Sequence, residues 1–358
     1  MNNNWLRNTI RSFEPYVVPE IKEHIVINAN ESPYNIFDFP QVKADFLERL
    51  AKTPSYHYPD PFAEELRAAL AKYVGCQPQE VLVSNGGDEI ISLIMNTFLN
   101  PGDTLLTHTP TFDIYGIDAE VLGAQVVTVS DLDGYRRDRD GLLTKVKELQ
   151  PKVTVLCNPN NPTGELLPLD YVESLVQAAD NIVVIDEAYL EFAGAPSIIT
   201  KLSQYDNLIV IRTLSKAFGL AGCRVGYGVA QKELIDALGL TKLVYNLNIL
   251  SQNAALAAMD YADDILAHNI PPTLAARQYF MDALKDVPGL TVYSSSTNFV
   301  LVRVPDGPAM VKALHDADIC VRSYKAANLK NCLRITITTD EVVRKVVAVM
   351  IEEAKKDA

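Results

Sequence analysis

One lysine in the sequence stands where an amine can react. Lys216 follows the apolar run LIVIR (208–212) by four positions and lies in a turn rich in small residues, TLSKAFGLAGCR (213–224). Partial burial lowers the pKa of an amine, and a neutral amine condenses with a carbonyl compound as a Schiff base. Arg224, eight residues further on, supplies a permanent cation for an anionic group. The turn is therefore a candidate site for covalent chemistry; the alternative is a surface loop lysine whose stem packs on apolar neighbours.

A carboxylate and a pair of glycines follow two other apolar runs. Asp186 ends the run IVVID (182–186), where a buried carboxylate needs a cationic or hydrogen-bonding partner. A protonated pyridine nitrogen and a nearby arginine are both candidates, and the residue alone does not separate them. Gly86 and Gly87 follow VLVS (81–84) and open a helix, which makes them a candidate phosphate site. Glycine in this place is more often only a turn.

The elements that must position these residues are alternating strands and helices. Six apolar runs, most of them rich in β-branched residues, lie at 81–84, 104–108, 126–130, 153–157, 182–186 and 208–212. Such runs are typical of parallel strands covered on both faces, and ligands bind beyond the carboxyl ends of these strands. The pattern changes after about residue 250 to paired strands and helices. We predict an α/β fold with an N-terminal arm and part of the small domain in 1–35, a large domain in 36–250, and a smaller α+β domain in 251–358.

The composition argues against several function classes. The chain of 358 residues has a formal net charge of −13, five histidines and five cysteines. The negative charge argues against a nucleic-acid partner. The odd cysteine count without C-x-x-C spacing argues against a disulfide framework or a zinc site. The sequence has neither a membrane-length apolar stretch nor a signal-peptide pattern. We therefore predict a cytoplasmic protein that acts on small molecules, with no metal, nucleic-acid or membrane partner.

Nine motifs in a fixed order carry a family resemblance. They are NANESPYN (28–35), YHYPDP (56–61), SNGGDE (84–89), PTF (110–112), CNPNNPTG (157–164), IDEAY (185–189), TLSKAFGLAGCRVGY (213–227), VRS (321–323) and LRIT (333–336). The chain resembles the fold-type-I enzymes that use pyridoxal 5'-phosphate, and among them the histidinol-phosphate aminotransferases. The resemblance implies a homodimer with shared active sites and a large domain built on a mostly parallel seven-stranded sheet. It also implies amino transfer from L-histidinol phosphate to 2-oxoglutarate, giving imidazole acetol phosphate and L-glutamate, in histidine biosynthesis.

The same resemblance assigns cofactor roles to residues of this sequence. Lys216 would form the Schiff base with pyridoxal 5'-phosphate and carry a proton between the substrate and the cofactor. Asp186 would pair with the ring nitrogen, and Asn161 and Tyr189 would bond the ring oxygen O3'. Phe112 would stack on the ring. The cofactor phosphate would meet Gly87, Asp88, Ser215, Arg224 and, from the other subunit, Tyr58.

Substrate roles follow from the resemblance in the same way. Arg334 would clamp the substrate α-carboxylate, while Arg322 and Tyr16 of the N-terminal arm would face the substrate phosphate. Asn30 and Asn161 would lie near the substrate as well. One position departs from the family pattern, because Thr338 stands where LRITxGT has glycine. This change would narrow the substrate pocket or shift the loop after Arg334.

Three alternatives stay open on the sequence. The first is an aromatic or broad-range aminotransferase, because a pocket for an imidazole also accepts other rings. The second is an L-threonine-phosphate decarboxylase, which shares several of the motifs, although SKAFGLAG and DEAY favour a transferase. The third is a pyridoxal-phosphate-binding sensor without activity. The complete set of catalytic residues and the acidic charge disfavour it.

Overall fold

The computed structural model of the protein describes residues 5–13 and 21–356, which form two β-sheets with helices packed around them. The strands are β1 (Ile25–Ile27), β2 (Val81–Asn85), β3 (Thr104–Thr109), β4 (Gln125–Ser130), β5 (Val153–Cys157), β6 (Ile182–Asp186), β7 (Leu208–Thr213), β8 (Val225–Ala230), β9 (Thr291–Val292), β10 (Phe299–Arg303), β11 (Ile319–Ser323) and β12 (Cys332–Thr336). The helices are α1 (Pro40–Lys52), α2 (Glu64–Val74), α3 (Gly87–Phe98), α4 (Ile114–Leu122), α5 (Arg139–Leu149), α6 (Leu169–Ala178), α7 (Lys232–Gly239), α8 (Ile249–Asp260), α9 (Ala262–Leu284), α10 (Gly307–Asp316) and α11 (Asp340–Ala354).

The larger sheet has seven strands in the order β2-β8-β7-β6-β5-β3-β4. All neighbours are parallel except β8, which runs antiparallel to β2 and to β7. The α/β fold with a mostly parallel seven-stranded sheet is therefore confirmed. The sequence pattern did not single out β8, because its run VGYGVA contains two glycines, which weaken a strand signal. One of them is needed there: a Cβ on Gly226 would lie 2.4 Å from the carbonyl carbon of Gly86.

The smaller sheet contains five strands in the order β1-β11-β12-β10-β9. Its first strand comes from the N-terminal segment, where β1 pairs in parallel with β11 and Ile27 is buried in the local core. A three-residue strand is too short to show a periodic pattern in the sequence, and the assignment of residues 1–35 to an arm and part of the small domain stays a prediction. The two short strands β9 and β10 pair antiparallel at the other edge of this sheet.

The buried apolar residues gather mainly around the two sheets. Helix α8 belongs to the core of the seven-stranded sheet, where Ala254, Ala255 and Ala258 are buried. We propose that the domain boundary, predicted at residue 250, lies further along the chain, within α9. The predicted bounds of the three regions otherwise stay predictions.

Helix α9 contributes to both cores. Its first turns bury Ala262 and Ile265 against the large core, and its later turns bury Phe280 and Leu284 in the small one. Pro271–Pro272 stand between these two halves. Proline lacks the N–H of a helical hydrogen bond, so this point is the weakest in the helix. Although α9 has 23 residues, neither it nor any other helix in 5–13 and 21–356 is both long and apolar enough to span a bilayer.

Candidate active site

A cavity of about 320 Å³ opens at the carboxyl edge of the seven-stranded sheet and extends to the five-stranded sheet. It gathers almost every residue that the sequence singled out: Asn30, Gly87, Asp88, Phe112, Asn161, Asp186, Tyr189, Ser215, Lys216, Arg224, Arg322 and Arg334. Tyr58 does not line the cavity. Tyr16 lies outside the described residues. The larger sheet positions Asp186 at the end of β6 and Lys216 in the turn after β7. The smaller sheet supplies Arg322 and Arg334.

Lys216 lies in the turn after β7, and its amine faces the cavity. Its Nζ donates a hydrogen bond to the carbonyl of Ala29 at 2.9 Å and lies 5.8 Å from the centre of the Tyr189 ring. Burial lowers the pKa of Lys216 to about 8, and the nearby cation of Arg334 acts in the same direction. The amine is therefore partly neutral near physiological pH, as a nucleophile must be.

Asp186 ends β6 and is buried at the floor of the cavity. One carboxylate oxygen accepts the hydroxyl of Tyr115 at 2.5 Å, and the other accepts the backbone N–H of Ala188 at 3.0 Å. Burial raises the pKa of Asp186, while these two hydrogen bonds oppose the rise. Neither donor carries a charge. Among the described residues, none forms a salt bridge with this carboxylate, although Lys216 is near enough to lower its pKa slightly.

The start of α3 forms the anion-binding end of the cavity. Gly86 has a φ of +84°, and a Cβ there would lie 2.5 Å from Nη2 of Arg224. Glycine is thus required for the guanidinium to lie across the first turn of the helix. Arg224 donates to Asp88 at 3.0 Å. The first backbone N–H groups of an α-helix have no acceptor within the helix. Helix N-termini combine such donors with a favourable dipole for a phosphate.

Several hydrogen bonds join residues of the two sheets across the cavity. Nη1 of Arg334 donates to Oδ1 of Asn161 at 2.6 Å, and Nη2 donates to the carbonyl of Asn28 at 2.7 Å. Asn30 donates through Nδ2 to the hydroxyl oxygen of Tyr189 at 3.1 Å. Since that oxygen accepts a hydrogen bond from Asn30, the hydroxyl hydrogen of Tyr189 remains available for another acceptor. Burial also raises the pKa of Tyr189, so the phenol stays protonated.

The outer wall of the cavity combines aromatic and charged groups. The side chain of Phe112 lines the cavity, and the guanidinium of Arg322 lies 5.8 Å from the ring centre of Tyr324. The hydroxyl of Tyr324 is buried and, within the described part of the chain, has no hydrogen-bond partner. Burial raises the pKa of Tyr324, while the cations of Arg334 and Arg322 oppose the rise. This hydroxyl is therefore available to a bound substrate.

Several cavity residues were missed from the sequence. Tyr115, Cys157, Thr213 and Tyr324 all line the cavity. The side chain of Tyr115 sits at a buried position of α4, where an aromatic residue is expected simply to pack. Only its distance to Asp186, 71 positions away, indicates more. For Tyr324 the nearness of Arg322 was an available signal, because the two residues flank Ser323 at the end of β11.

Thr338 does not line the cavity. Its side chain is buried after β12, and its hydroxyl has no hydrogen-bond partner among the described residues. The threonine therefore does not form part of the pocket wall. A shift of the loop after Arg334 stays a prediction.

Tyr58 lies on an exposed surface instead of in the cavity. Its ring is 79% exposed and stacks on Tyr245 with the centroids 4.4 Å apart. More large apolar side chains are exposed in the neighbouring part of the sequence: Phe62, Leu240, Leu243, Val244 and Leu250. Exposed apolar residues in such numbers mark a protein-binding surface.

The chain is similar to known proteins over nearly all of its length. Residues 22–350 match the model of the family described as aminotransferase class I and II. The histidinol-phosphate aminotransferase of Thermoanaerobacter sp. (strain X514) is 39% identical over 343 residues, covering 95% of this chain and 96% of the relative. That of Ruminiclostridium cellulolyticum is 37% identical over 341 residues, with 94% of each chain covered.

A solved structure agrees with these relatives. Histidinol-phosphate aminotransferase from Sinorhizobium meliloti, in complex with pyridoxal-5'-phosphate, superposes with a TM-score of 0.89. It is 28% identical, and the match covers 99% of this chain and 98% of that one. Together with the arrangement of Lys216, Asp186 and Arg334 in one cavity, this similarity identifies the chain as a member of the aminotransferase class I and II family.

Proposed function

We propose that the protein is a pyridoxal-phosphate-dependent aminotransferase that moves the amino group of L-histidinol phosphate to 2-oxoglutarate. The observation that carries the cofactor assignment is Asp186. It is a buried carboxylate at a cavity floor with only neutral hydrogen-bond donors, and a buried charge of this kind needs a cationic partner. A protonated ring nitrogen supplies that partner. The names of the relatives support the substrate assignment.

The other residues of the cavity fit the same cofactor. Arg224 and the first turn of α3 offer donors for a phosphate. The guanidinium of Arg224 lies so close to Gly86 that a Cβ would not fit there. Lys216 offers an amine whose pKa is lowered to about 8, which suits condensation with an aldehyde. Phe112 offers an aromatic face to a ring. A phosphate site, an amine, a ring face and an anion are therefore present in one cavity.

When bound, pyridoxal phosphate supplies an aldehyde and an electron-accepting ring. The protein's own groups do the rest. Lys216 would bind the aldehyde through its amine and, as a free amine, would carry a proton at the substrate α-carbon. Asp186 would keep the ring nitrogen protonated. Tyr189 would donate its available hydrogen to the ring oxygen, and Asn161 would lie beside it. The same residues act in both half-reactions, which makes the kinetics ping-pong.

The two arginines of the smaller sheet account for the choice of substrates. Histidinol phosphate has no α-carboxylate, so Arg334 can bind an α-carboxylate only in the glutamate half-reaction. In the other half-reaction we assign Arg334 to the phosphate, together with Arg322. Guanidinium groups suit both anions because their donors match two oxygens at once. The unpartnered hydroxyl of Tyr324 lies close to the same anions.

We further propose that a second copy of the chain covers the exposed apolar surface around Tyr58 and Tyr245. The relevant side chains are largely exposed, with Leu240 at 85% and Leu243 at 72%. A two-fold dimer places the same patch of each subunit against the other. In that arrangement Tyr58 reaches the cofactor phosphate of the partner subunit. The predicted cytoplasmic location remains a prediction, consistent with five unpaired cysteines in the described chain.

A half-reaction experiment tests the proposal. The protein loaded with pyridoxal phosphate is mixed with histidinol phosphate, tyrosine or phenylalanine in the absence of a 2-oxo acid, and cofactor absorbance is followed. We expect histidinol phosphate to convert the cofactor fastest. Conversion by an aromatic amino acid but not by histidinol phosphate would overturn the substrate assignment. Release of carbon dioxide from L-threonine phosphate would indicate the decarboxylase instead.

A further inference from the structure

We propose that Tyr115 is a positioning residue for the cofactor, which holds the carboxylate of Asp186 in place for the ring nitrogen. The inference rests on the proposed function, since it concerns the same cavity. Tyr115 itself contributes no group to the chemistry. It acts through Asp186 and, by an aromatic contact, through Phe112.

The geometry around Tyr115 supports this role. The side chain is fully buried in the first turn of α4, and its hydroxyl donates to Oδ2 of Asp186 at 2.5 Å. The only other hydrogen bond to this carboxylate from the described residues is that of Ala188 N–H to Oδ1. One donor on each oxygen fixes the rotation of the carboxylate about its bond to Cβ. Lone pairs on both oxygens remain for a ligand in the cavity.

The second contact of Tyr115 is with Phe112. The two rings meet edge to face, with centroids 5.6 Å apart and planes at 82°. One residue thus supports both the carboxylate expected at the ring nitrogen and the aromatic side chain expected on the ring face. A tyrosine that served only to fill space in the core would need neither its hydroxyl nor this alignment.

The charged and titratable groups around Asp186 come from five parts of the chain. Tyr115 lies on α4, Cys157 ends β5, Asp88 lies on α3, Tyr189 follows β6, and Lys216 follows β7. Burial raises the pKa of Cys157 as well as that of Tyr115, so both groups stay neutral donors. Asp88 raises the pKa of Asp186, whereas Lys216 and the Tyr115 hydroxyl lower it. Loss of the hydroxyl therefore raises that pKa further, and the carboxylate takes up a proton at a higher pH.

The test compares Tyr115→Phe with the wild-type protein by cofactor affinity. Full-length protein is freed of cofactor, and its dissociation constant for pyridoxal phosphate is measured from pH 5 to pH 8. Affinity is expected to fall on the acid side, where Asp186 is protonated. For Tyr115→Phe we expect this fall at a pH about one unit higher, and thus about tenfold weaker binding on the acid side. An acid limb that coincides with the wild-type limb would overturn the inference.

A matched control is Tyr73→Phe. Tyr73 also donates to a carboxylate, that of Glu191 at 3.3 Å, and also meets a phenylalanine ring edge to face, but it lies outside the cavity. Its acid limb should overlay that of the wild type. In an Asp186→Asn background, Tyr115→Phe should cause no further change. An equal loss of affinity in both backgrounds would show a purely structural role and would refute the proposal.

Two further outcomes are decisive. If Tyr115→Phe fails to fold, 3-fluorotyrosine is incorporated at position 115 alone, where its more acidic hydroxyl is a stronger donor. The acid limb must then move to lower pH, and an unmoved limb counts against the inference. A wild-type protein that binds no pyridoxal phosphate at any pH would instead contradict the proposed function. Normal binding with coincident limbs contradicts the role of Tyr115 alone.

Discussion

The pKa of Lys216 depends on the other charged groups of the cavity. Burial lowers the pKa of its amine to about 8, and Arg334 is the strongest charged contributor in the same direction. Glu31 and Asp88 oppose this effect. The charge of Arg334, the arginine proposed to bind the substrate, therefore influences the amine of Lys216, although the two residues belong to different sheets. An anion bound at Arg334 would offset the positive charge of the guanidinium. The pKa of Lys216 would then rise, and the protonated amine would be favoured.

The pKa of Lys216 predicts how cofactor capture depends on pH. Only the neutral amine reacts with an aldehyde, and it predominates above the pKa. We expect the rate of covalent capture by the cofactor-free protein to rise with pH through a midpoint near 8, instead of the ordinary 10.5. Stopped-flow absorbance measures this rate. Lys216→Ala is the control, which should bind pyridoxal phosphate without covalent attachment. A midpoint near 10 would contradict the described burial of the amine.

Much of the cavity is predictable at the residue scale because its residues sit in short, characteristic runs. Lys216 follows the apolar strand β7 and Asp186 ends β6, and a parallel sheet brings such ends to one edge. Arg224 precedes β8, whose antiparallel direction puts its first residue at the same edge. Tyr115 could not be predicted, since a buried helical position gives no sign of a carboxylate that is distant in sequence. Arg334 was identifiable only through the family motif, because its strand belongs to the other sheet.

At the scale of elements, Arg137 supports the loop after β5 through hydrogen bonds to Glu165. This arginine is fully buried, and its Nη1 donates to Oδ1 of Asp131 at 2.5 Å. Its backbone N–H donates to both carboxylate oxygens of Glu165, at 3.2 and 3.0 Å. Glu165 in turn accepts through its carbonyl from Asn160, beside the cavity residue Asn161. A buried ion pair thus supports the loop that presents Asn161 to Arg334.

The buried ion pair predicts a large loss of stability in Arg137→Leu. The substitution would leave the carboxylate of Asp131 buried without its guanidinium. We expect the free energy of unfolding to fall by about 3 kcal/mol. Urea denaturation followed by circular dichroism measures the change. Arg139→Leu is the matched control on the exposed start of α5, expected to stay within about 0.5 kcal/mol of the wild type. Equal stability of the two variants would show that the pair is not stabilising.

The elements differ in how far the sequence predicts them. Strands such as β5, β6 and β7 are continuous apolar runs and are evident from the sequence. Strand β8 is less evident because close approach to Gly86 requires Gly226, at the cost of β propensity. Strand β1 has only three residues, and its pairing with β11 joins positions about 290 residues apart. Pairings of that kind depend on the complete fold, which no local pattern reports.

At the scale of the whole molecule, we propose that the active site is shared between two copies of the chain. Tyr58 is expected at the cofactor phosphate, yet it is exposed and absent from the cavity of its own chain. The apolar side chains near Tyr245 are also exposed. Both observations are explained if the partner subunit covers this surface and receives Tyr58.

Shared sites predict that two inactive variants can restore each other. Tyr58→Ala and Lys216→Ala homodimers are mixed under conditions that allow subunits to exchange. In a mixed dimer both defects fall in one site, so the other site is intact. Random exchange makes half of the dimers mixed, and activity should recover to about a quarter of the wild-type value. The assay is amino transfer before and after mixing. If activity stays at the level of the separate variants, Tyr58 acts within its own chain.

The proline pair of α9 has a consequence for the width of the cavity. One half of this helix is embedded in the core that carries Lys216 and Asp186, and the other half in the core that carries Arg322 and Arg334. Pro271–Pro272 lie between them. Because each half of the helix packs in its own core, we expect a change of helix angle at the prolines to alter the distance between the two arginines and the reactive amine.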